Sequence, residues 1–147
     1  MKRIIALSLL MLVASWPMSA GAEEYRLTYS NFFPPTHIQS ILAEEWAKEI
    51  EARTDGRVVI DYFPGGTLTP AKDCYDGVTQ GMSDIGMSAL AYSRGRFPTM
   101  AAVDLPLGYK SGVAATKVAN AVYEHFMPEE LADTQPMFFH AHGPGLL

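Results

Sequence analysis

The sequence predicts an α/β fold with a mostly parallel sheet flanked by helices, and two observations carry this expectation. Residues 57–88 hold, in order, a β-branched strand pattern, a Gly-Pro turn, a helical segment and a second strand pattern. A connection of this length favours parallel pairing of the two strands. A further strand pattern followed by a helical repeat precedes this unit, as expected for a chain in which strands and helices alternate.

The first strand is predicted at Arg26–Ser30, where apolar and polar residues alternate. Pro34 and Pro35 follow and prevent further sheet pairing. The next segment has a helical repeat, with Thr36 as the expected N-cap and Asp55–Gly56 as its end. Five residues are expected on the inward stripe of this helix: Ile38, Ile41, Leu42, Trp46 and Ile50.

The unit at residues 57–88 supplies the next two strands. Val58–Phe63 predicts a strand that ends at the Pro64–Gly66 turn. A helix is expected over Ala71–Met82, with Cys74 half-buried within it, and the following strand begins at Ile85–Met87.

The second half of the chain is predicted to alternate between irregular and regular segments. Ala89–Pro98 indicates a loop or short helical turn, and Ala101–Leu105 an extended segment. A long helix is expected over Ser111–Phe126, a short one at Pro128–Asp133, and a buried strand at Pro136–Phe139. The inward face of the long helix is expected to consist of Val113, Ala114, Val118, Ala121, Val122 and Phe126.

The N-terminus has the pattern of a secretory signal peptide. Lys2 and Arg3 precede an apolar run at residues 4–13, and Ala20–Ala22 offers a cleavage site of small residues, with cutting near Ala22. A membrane anchor is the alternative, but the uninterrupted apolar run is too short for the roughly 30 Å of bilayer hydrocarbon. We therefore expect an exported protein that does not itself span the membrane.

The chain that remains after cleavage is acidic. The formal net charge of the whole sequence is −5, and residues 1–22 carry two positive and no negative charges, so their removal leaves −7. A negative protein does not attract a phosphate backbone, which argues against nucleic acid as a partner. Cys74 is the only cysteine, so no internal disulfide can form.

The sequence lacks the usual patterns of catalytic and metal sites. The four histidines are too scattered for a zinc site: His37, His125, His140 and His142. Asp73 and Asp76 flank Cys74, which would raise the pKa of its thiol and argues against a nucleophile. The turn at residues 65–67 lacks the spacing of a phosphate-binding loop. We therefore expect neither an enzyme nor a bound metal or cofactor.

Three loops are expected to leave predicted strand ends on one side of the sheet: Asn31–Pro35, Ser88–Tyr92 and His140–Gly145. In a parallel sheet these ends share one crevice, where α/β proteins bind ligands. The loops combine aromatic or apolar surface with polar groups, which is typical of a small-molecule pocket. The candidate ligand-binding residues here are Asn31, Phe32, His37, Ser88, Tyr92, His142 and Gly143.

The order of motifs resembles the periplasmic solute-binding proteins of tripartite ATP-independent periplasmic (TRAP) transporters. The resemblance extends from Tyr25 to Leu147 and rests on four motifs in the family's order: Gly56-Arg57-Val58, Pro64–Leu68, Gly81-x-x-Asp84 and Leu105-Pro106. It implies two α/β lobes that close over a small organic acid in the periplasm. The acid is then passed to a sodium-coupled membrane permease.

The resemblance also implies ligand contacts at particular positions. Asn31 and Phe32, the end of the strand at Ile85–Ser88 with Ala89, and the crossing at His142–Gly145 are similar to segments that touch ligand in the family. Some sialic-acid-binding members carry a carboxylate where Ala89 aligns and an arginine where Gly145 aligns. A sialic acid ligand is therefore disfavoured.

The resemblance divides the chain into a signal peptide at residues 1–22, a periplasmic-binding-protein-like first lobe at 23–139, and a hinge crossing at 140–147 that begins a second lobe. The arginine that clamps the ligand carboxylate in the family belongs to the second lobe. We therefore expect the sequence to be truncated before that lobe and to bind ligand weakly or not at all. Arg94 and Arg96 could substitute for the clamp, but solvent-facing roles or permease contacts are favoured for them.

Other classes of exported protein remain open at this stage. Solute-binding proteins of ATP-driven importers or sensor kinases share the two-lobed architecture. An exported hydrolase is a more distant alternative, because the sequence shows no nucleophile paired with a base.

Overall fold

The computed structural model describes residues 24–141 and has the predicted α/β class. Its sheet contains three strands: β1 (Tyr25–Asn31), β2 (Val58–Phe63) and β3 (Ile85–Met87). The strand order is β2-β1-β3, and both pairs are parallel. The predicted signal peptide and the predicted site residues His142 and Gly143 lie outside the described residues.

The central strand is β1, so the predicted crossover joins the two outer strands. The pairing of β1 with β3 begins at Tyr29 and Ile85 and ends at Asn31 and Met87. Asn31 and Met87 are the last residues of their strands. The carboxyl ends of β1 and β3 therefore lie side by side, as the sequence predicts.

Within residues 24–141, three α-helices and three short 3-10 segments accompany the sheet. The helices are α1 (Ile38–Arg53), α2 (Cys74–Thr79) and α3 (Gly112–Phe126). The 3-10 segments are Leu90–Tyr92, Met100–Asp104 and Glu129–Leu131. None of the described helices combines the length and the apolar character needed to cross a bilayer.

The N-cap of α1 is His37 and not the predicted Thr36. His37 has an extended backbone, and its Nδ1 accepts a hydrogen bond from the N–H of Gln39 at 3.2 Å. The imidazole nitrogen therefore satisfies a free donor of the first turn, as a Ser or Asp oxygen commonly does.

The buried face of α1 also differs from the predicted stripe. Its buried side chains are small, namely Ser40, Ala43 and Ala47. The expected core residues Ile38, Ile41 and Leu42 are 57%, 41% and 50% exposed, while Trp46 and Ile50 are half-buried. Small side chains at spacings of three and four allow the helix to approach the sheet closely. The stripe predicted from hydropathy therefore lies on a face of α1 next to the one that is buried.

α2 is shorter than the predicted helix over residues 71–82, and it packs tightly on the sheet. Cys74 is fully buried rather than half-buried, and its Sγ lies 3.2 Å from the carbonyl oxygen of Met87. Burial raises the pKa of the Cys74 thiol. A Cβ added at Gly86 would lie 2.7 Å from Cγ2 of Val78 in α2. The glycine in β3 is therefore needed for this close approach.

An apolar cluster lies beyond β3. Its buried members are Tyr75, Phe97, Met100 and Leu131. The predicted extended segment at Ala101–Leu105 is wrong, because Met100–Asp104 forms a 3-10 turn. The carboxylate of Glu130 accepts the N–H groups of Thr99 and Met100 at 3.0 and 2.8 Å and stabilises the start of that turn.

The long helix α3 is confirmed, with Ser111 as its N-cap, but its predicted inward face is confirmed only in part: Ala114 and Val122 are half-buried, and Val122 packs against the apolar cluster. Ala119 is buried, whereas the expected core residues Val113, Val118 and Phe126 are 68%, 38% and 63% exposed. The short helix predicted at residues 128–133 is present as the 3-10 segment Glu129–Leu131.

The predicted buried strand at Pro136–Phe139 is not formed within the described chain. Met137 and Phe138 are 58% and 61% exposed. Asn120 of α3 replaces a strand neighbour, because its Nδ2 donates to the carbonyl of Phe139 at 2.8 Å and its Oδ1 accepts the N–H of Phe139 at 3.0 Å. A side-chain amide thus holds this segment instead of a sheet ladder.

Candidate functional site

The loops that follow β1 and β3 meet at the carboxyl edge of the sheet. The rings of Phe32 and Tyr92 are 5.6 Å apart between centroids and meet edge to face, with an interplanar angle of 72°. Phe32 directly follows Asn31, and Tyr92 ends the 3-10 turn after β3. The structure therefore brings together two of the three loops that the sequence placed at one edge.

The two loops form a continuous row of rings, here called the aromatic ledge: Tyr92, Phe32, Phe33 and His37. The Phe32 and Phe33 centroids are 4.3 Å apart, and the imidazole of His37 stacks on Phe33 at 4.2 Å with an angle of 7°. Tyr92 is 53% exposed, and both phenylalanines are half-buried. The ledge therefore presents aromatic surface to solvent.

Asn31 fixes the loop that carries this ledge. It is fully buried, and its Oδ1 accepts the N–H of Phe33 at 2.9 Å. The Pro-Gly-Gly turn after β2 braces the same loop, since Gly66 donates to the carbonyl of Asn31 at 3.0 Å and Gly65 to that of Phe33 at 2.8 Å. Both glycines have φ near +70°, which favours glycine over other residues. This brace was not predicted from the sequence.

Two predicted site residues carry buried polar atoms without a partner. Within residues 24–141, neither Nδ2 of Asn31 nor Oγ of Ser88 has a hydrogen-bond partner. A buried group of this kind costs about 1 to 3 kcal/mol when it stays unsatisfied. The hydroxyls of Tyr62, Ser83 and Tyr109, outside the two loops, share this property, so it does not by itself mark the site.

The loop after β3 packs against the apolar cluster described above. Ala89 is half-buried and precedes the 3-10 turn, and its carbonyl accepts the N–H of Tyr92 at 2.9 Å. Leu90 in the same turn packs against the cluster that contains Phe97 and Met100. Tyr92 is thus carried by a short, anchored turn.

The structure assigns Arg96 a role that the sequence did not suggest. Its guanidinium hydrogen-bonds to Asp76 of α2 and, at 3.4 Å, to Asp133, and it lies 4.4 Å over the ring of Tyr75. Arg96 is therefore neither a solvent-facing loop residue nor a free substitute for a carboxylate clamp. Its charge is balanced by structural partners.

The third predicted loop is described only at its beginning. His140 and Ala141 lie beside α3, where the N–H of Ala141 donates to Oγ1 of Thr116 at 2.9 Å. His142 and Gly143 fall outside the described residues, so their predicted role stays a prediction.

Within residues 24–141, neither metal-ligating clusters nor surface grooves point to another site. No group of three or more His, Cys, Asp or Glu side chains within residues 24–141 could hold a metal ion. A cavity of about 460 Å³ lies between α1 and β2, with Lys48 and Tyr62 in its wall, and one of about 320 Å³ lies beside α2. Neither cavity contains a residue of the loops that form the ledge.

Comparison with known proteins agrees with the resemblance seen in the motifs. A solute-binding protein of Roseobacter denitrificans is 25% identical over 148 residues, which is 97% of this chain and 45% of that protein. A TRAP periplasmic solute binding protein from Desulfovibrio salexigens is 38% identical with a TM-score of 0.69, over 74% of this chain and 34% of that one. A TRAP protein from Bordetella bronchiseptica, solved with (R)- and (S)-mandelate, is 30% identical with a TM-score of 0.71, over 81% and 38%.

The chain therefore spans less than half the length of each of these relatives. The sequence profile of the family described as "Bacterial extracellular solute-binding protein, family 7" matches residues 29–135. This range contains the carboxyl ends of all three strands and the whole aromatic ledge. The chain belongs to family 7 of the bacterial extracellular solute-binding proteins.

Proposed function

We propose that residues 23–139 form the first lobe of a periplasmic receptor that binds a small organic acid and delivers it to the membrane permease of a TRAP transporter. Residues 140–147 begin the crossing to a second lobe. The contact between Phe32 and Tyr92 carries this proposal, because it joins two loops at the sheet edge where α/β proteins bind ligands. Membership of a solute-binding rather than an enzymatic family supports the same role.

The proposed ligand contacts are the predicted residues of the two loops and of the following crossing. Those in the described chain are Asn31, Phe32, His37, Ser88, Ala89 and Tyr92. His142 and Gly143 are proposed from the sequence and the family resemblance.

A carboxylate ligand is supported by the Bordetella bronchiseptica relative, which holds mandelate. The described loops offer this ligand uncharged groups. No residue from 31 to 37 or from 88 to 93 is Asp, Glu, Lys or Arg, and Arg96 is engaged by Asp76 and Asp133. We therefore expect this lobe by itself to hold organic acids only weakly. The uncharged Ala89 also argues against a sialic acid.

The test is a nuclear magnetic resonance titration of the exported, processed chain with benzoate, mandelate and succinate. We expect amide shifts at residues 31–37 and 88–92, because these loops form the proposed site. Phe126→Ala is the control protein and should show the same shifts, because it changes an exposed ring on α3, outside these loops. The proposal fails if no acid moves these amides at its solubility limit, or if the shifts fall only elsewhere.

Periplasmic location is tested separately through the signal peptide. We expect the N-terminal sequence of the exported protein to begin at Glu23, and Ala22→Arg to block processing, because the cleavage site requires small residues. Fractionation and intact-mass measurement distinguish the outcomes. A chain that keeps residues 1–22 in the periplasm would refute this cleavage site.

A further inference from the structure

His37 has two roles that use different parts of its imidazole. Its Nδ1 accepts a hydrogen bond from the N–H of Gln39 at 3.2 Å and caps α1. The face of the same ring stacks on Phe33, with 4.2 Å between the centroids and an angle of 7°. The cap depends on a lone pair in the plane of the imidazole, whereas the stack depends only on its face.

The cap requires a neutral imidazole. A backbone N–H can only donate, so Nδ1 of His37 carries no proton while the bond from Gln39 exists, and the single ring proton lies on Nε2. A protonated imidazole has an N–H group at both positions and cannot accept this bond. A positive charge is also unfavourable at the first turn of a helix, where the macrodipole is positive.

The stack, in contrast, tolerates a charge. Cations are attracted to the face of an aromatic ring, so a protonated His37 can remain on Phe33 after the cap is lost. Protonation therefore separates the two roles, because it frees the first turn of α1 and leaves the ring on the aromatic ledge.

The surroundings of His37 hold no other charge. Asp, Glu, Lys and Arg are all absent from the three segments that form and brace the two loops: 31–43, 64–70 and 88–93. The nearest charges along the chain are Glu44, which pairs with Lys48 at 2.7 Å, and Arg94, which follows Tyr92 at the opposite end of the row of rings. The phenol of Tyr92 is the other titratable group of the row. Histidine is the only residue type in these segments that ordinarily titrates between about pH 5 and 8.

From these contacts we infer that His37 is a pH-sensitive cap that regulates the proposed binding site. The neutral imidazole caps α1 and leaves both loops uncharged, whereas in mild acid the cap opens and a positive charge appears on the aromatic ledge. This inference rests on the function proposed above and adds its regulation. We expect a carboxylate to bind about two- to fivefold more tightly at about pH 5.5 than at about pH 7.5, because an exposed ion pair makes a small contribution.

The first experiment is a pH titration of the exported, processed chain, followed by nuclear magnetic resonance. As the imidazole gains its second proton, we expect the Gln39 amide to shift and to lose protection against hydrogen exchange, while the contact between the His37 and Phe33 rings persists. His37→Asn keeps a capping oxygen that does not titrate, so its Gln39 amide should not respond. His125→Asn is the matched control, because it replaces an exposed histidine of α3 and should behave as the wild type.

The second experiment measures mandelate affinity at both pH values, at which its carboxyl group is ionised. The wild type and His125→Asn should bind more tightly in acid, and His37→Asn should show no such difference. A Gln39 amide that does not follow the imidazole, or equal affinity of the wild type at the two pH values, would overturn the inference and leave the proposed function standing. If mandelate shifts residues 31–37 or 88–92 at neither pH, both the inference and the proposed function fail.

Discussion

The guanidinium of Arg96 lies 4.4 Å above the centre of the Tyr75 ring, and both side chains hydrogen-bond to Asp133. Arg96 also pairs with Asp76 of α2. These contacts join α2, the loop after β3 and the turn after Glu129–Leu131, although the three segments are distant in sequence.

Replacement of Arg96 should weaken this junction. We expect Arg96→Met to lower the free energy of unfolding by about 1 to 2 kcal/mol, because the pair is partly solvent-screened but also stacks on an aromatic ring. Arg96→Lys should recover only part of the loss, since lysine lacks the planar fork. Urea unfolding measures both, with Arg94→Met as the control. Equal stability of Arg96→Met, Arg96→Lys and Arg94→Met would contradict the stabilising role of Arg96.

The contact between Gly77 and Thr69 leads to a second prediction. A Cβ on Gly77 would lie 2.5 Å from Cγ2 of Thr69, which is too close. We expect Gly77→Ala to destabilise the protein by about 1 to 2 kcal/mol, because overpacking outweighs the gain in helix propensity.

The matched rescue is Thr69→Ser, which removes Cγ2 and keeps the hydroxyl that hydrogen-bonds to Ser30 at 2.6 Å. The double variant should be more stable than Gly77→Ala alone in thermal unfolding. Simple additivity of the two changes would show that the steric contact is not the cause.

Asp84 links the start of β3 to β1 in a pH-dependent way. Its Oδ2 accepts the backbone N–H and the hydroxyl of Thr28 at 2.7 and 2.8 Å, and these bonds, the backbone one first, lower the pKa of Asp84 below its ordinary 3.8. A carboxyl with a lowered pKa in the folded state stabilises the protein above the unfolded pKa, and this contribution disappears as the pH falls through the folded pKa.

We therefore expect Asp84→Asn to lower the free energy of unfolding by about 1 kcal/mol at neutral pH. The effect is small because the side chain is exposed to solvent. The difference from the wild type should shrink below about pH 4. Urea unfolding at neutral and acidic pH measures this, with the exposed Asp104→Asn as the control. A difference that stays constant with pH would exclude the carboxylate as the cause.

His37 caps the start of α1 and also stacks its ring on Phe33, and two variants separate these roles. His37→Ala removes both the bond from Gln39 and the stack on Phe33, and should cost about 1 kcal/mol of stability. His37→Asn restores a capping oxygen without the ring and should cost less. Thermal unfolding compares the two variants, and equal losses would show that the cap is not what His37 contributes.

Strand positions were predictable because β-branched and aromatic runs with proline and glycine at their ends leave few alternatives. β2 has the predicted bounds, β3 begins where predicted, and β1 is one residue longer at each end. The length of the connection predicted that β2 and β3 pair in parallel; both run parallel to β1, but they do not pair with each other. The central position of β1 was not predictable, since connection length does not say which strand lies between two others.

Helix faces were less predictable, because a hydropathy stripe favours large apolar side chains while close packing on a sheet favours small ones. Ser40, Ala43 and Ala47 are buried in α1, and larger apolar neighbours are exposed. The strand expected at Pro136–Phe139 shows a related difficulty, since a strand needs a partner and here Asn120 provides the hydrogen bonds.

The candidate site was predictable in outline only. Topology places the loops after Asn31 and Met87 together, because parallel strands end at one edge. The stack of His37 on Phe33 and the brace from Gly65 and Gly66 depend on side-chain and turn geometry that residue types alone do not determine.

The central position of β1 has a consequence for the order in which the chain can fold. Arg26 of β1 bonds to Asp61 of β2 across 35 positions, and Thr28 to Asp84 across 56. Contacts of such long sequence separation form slowly, because a large loop must close before they are made. During synthesis β1 can therefore pair with β2 first, and its other edge stays unpaired until the residues of β3 have emerged.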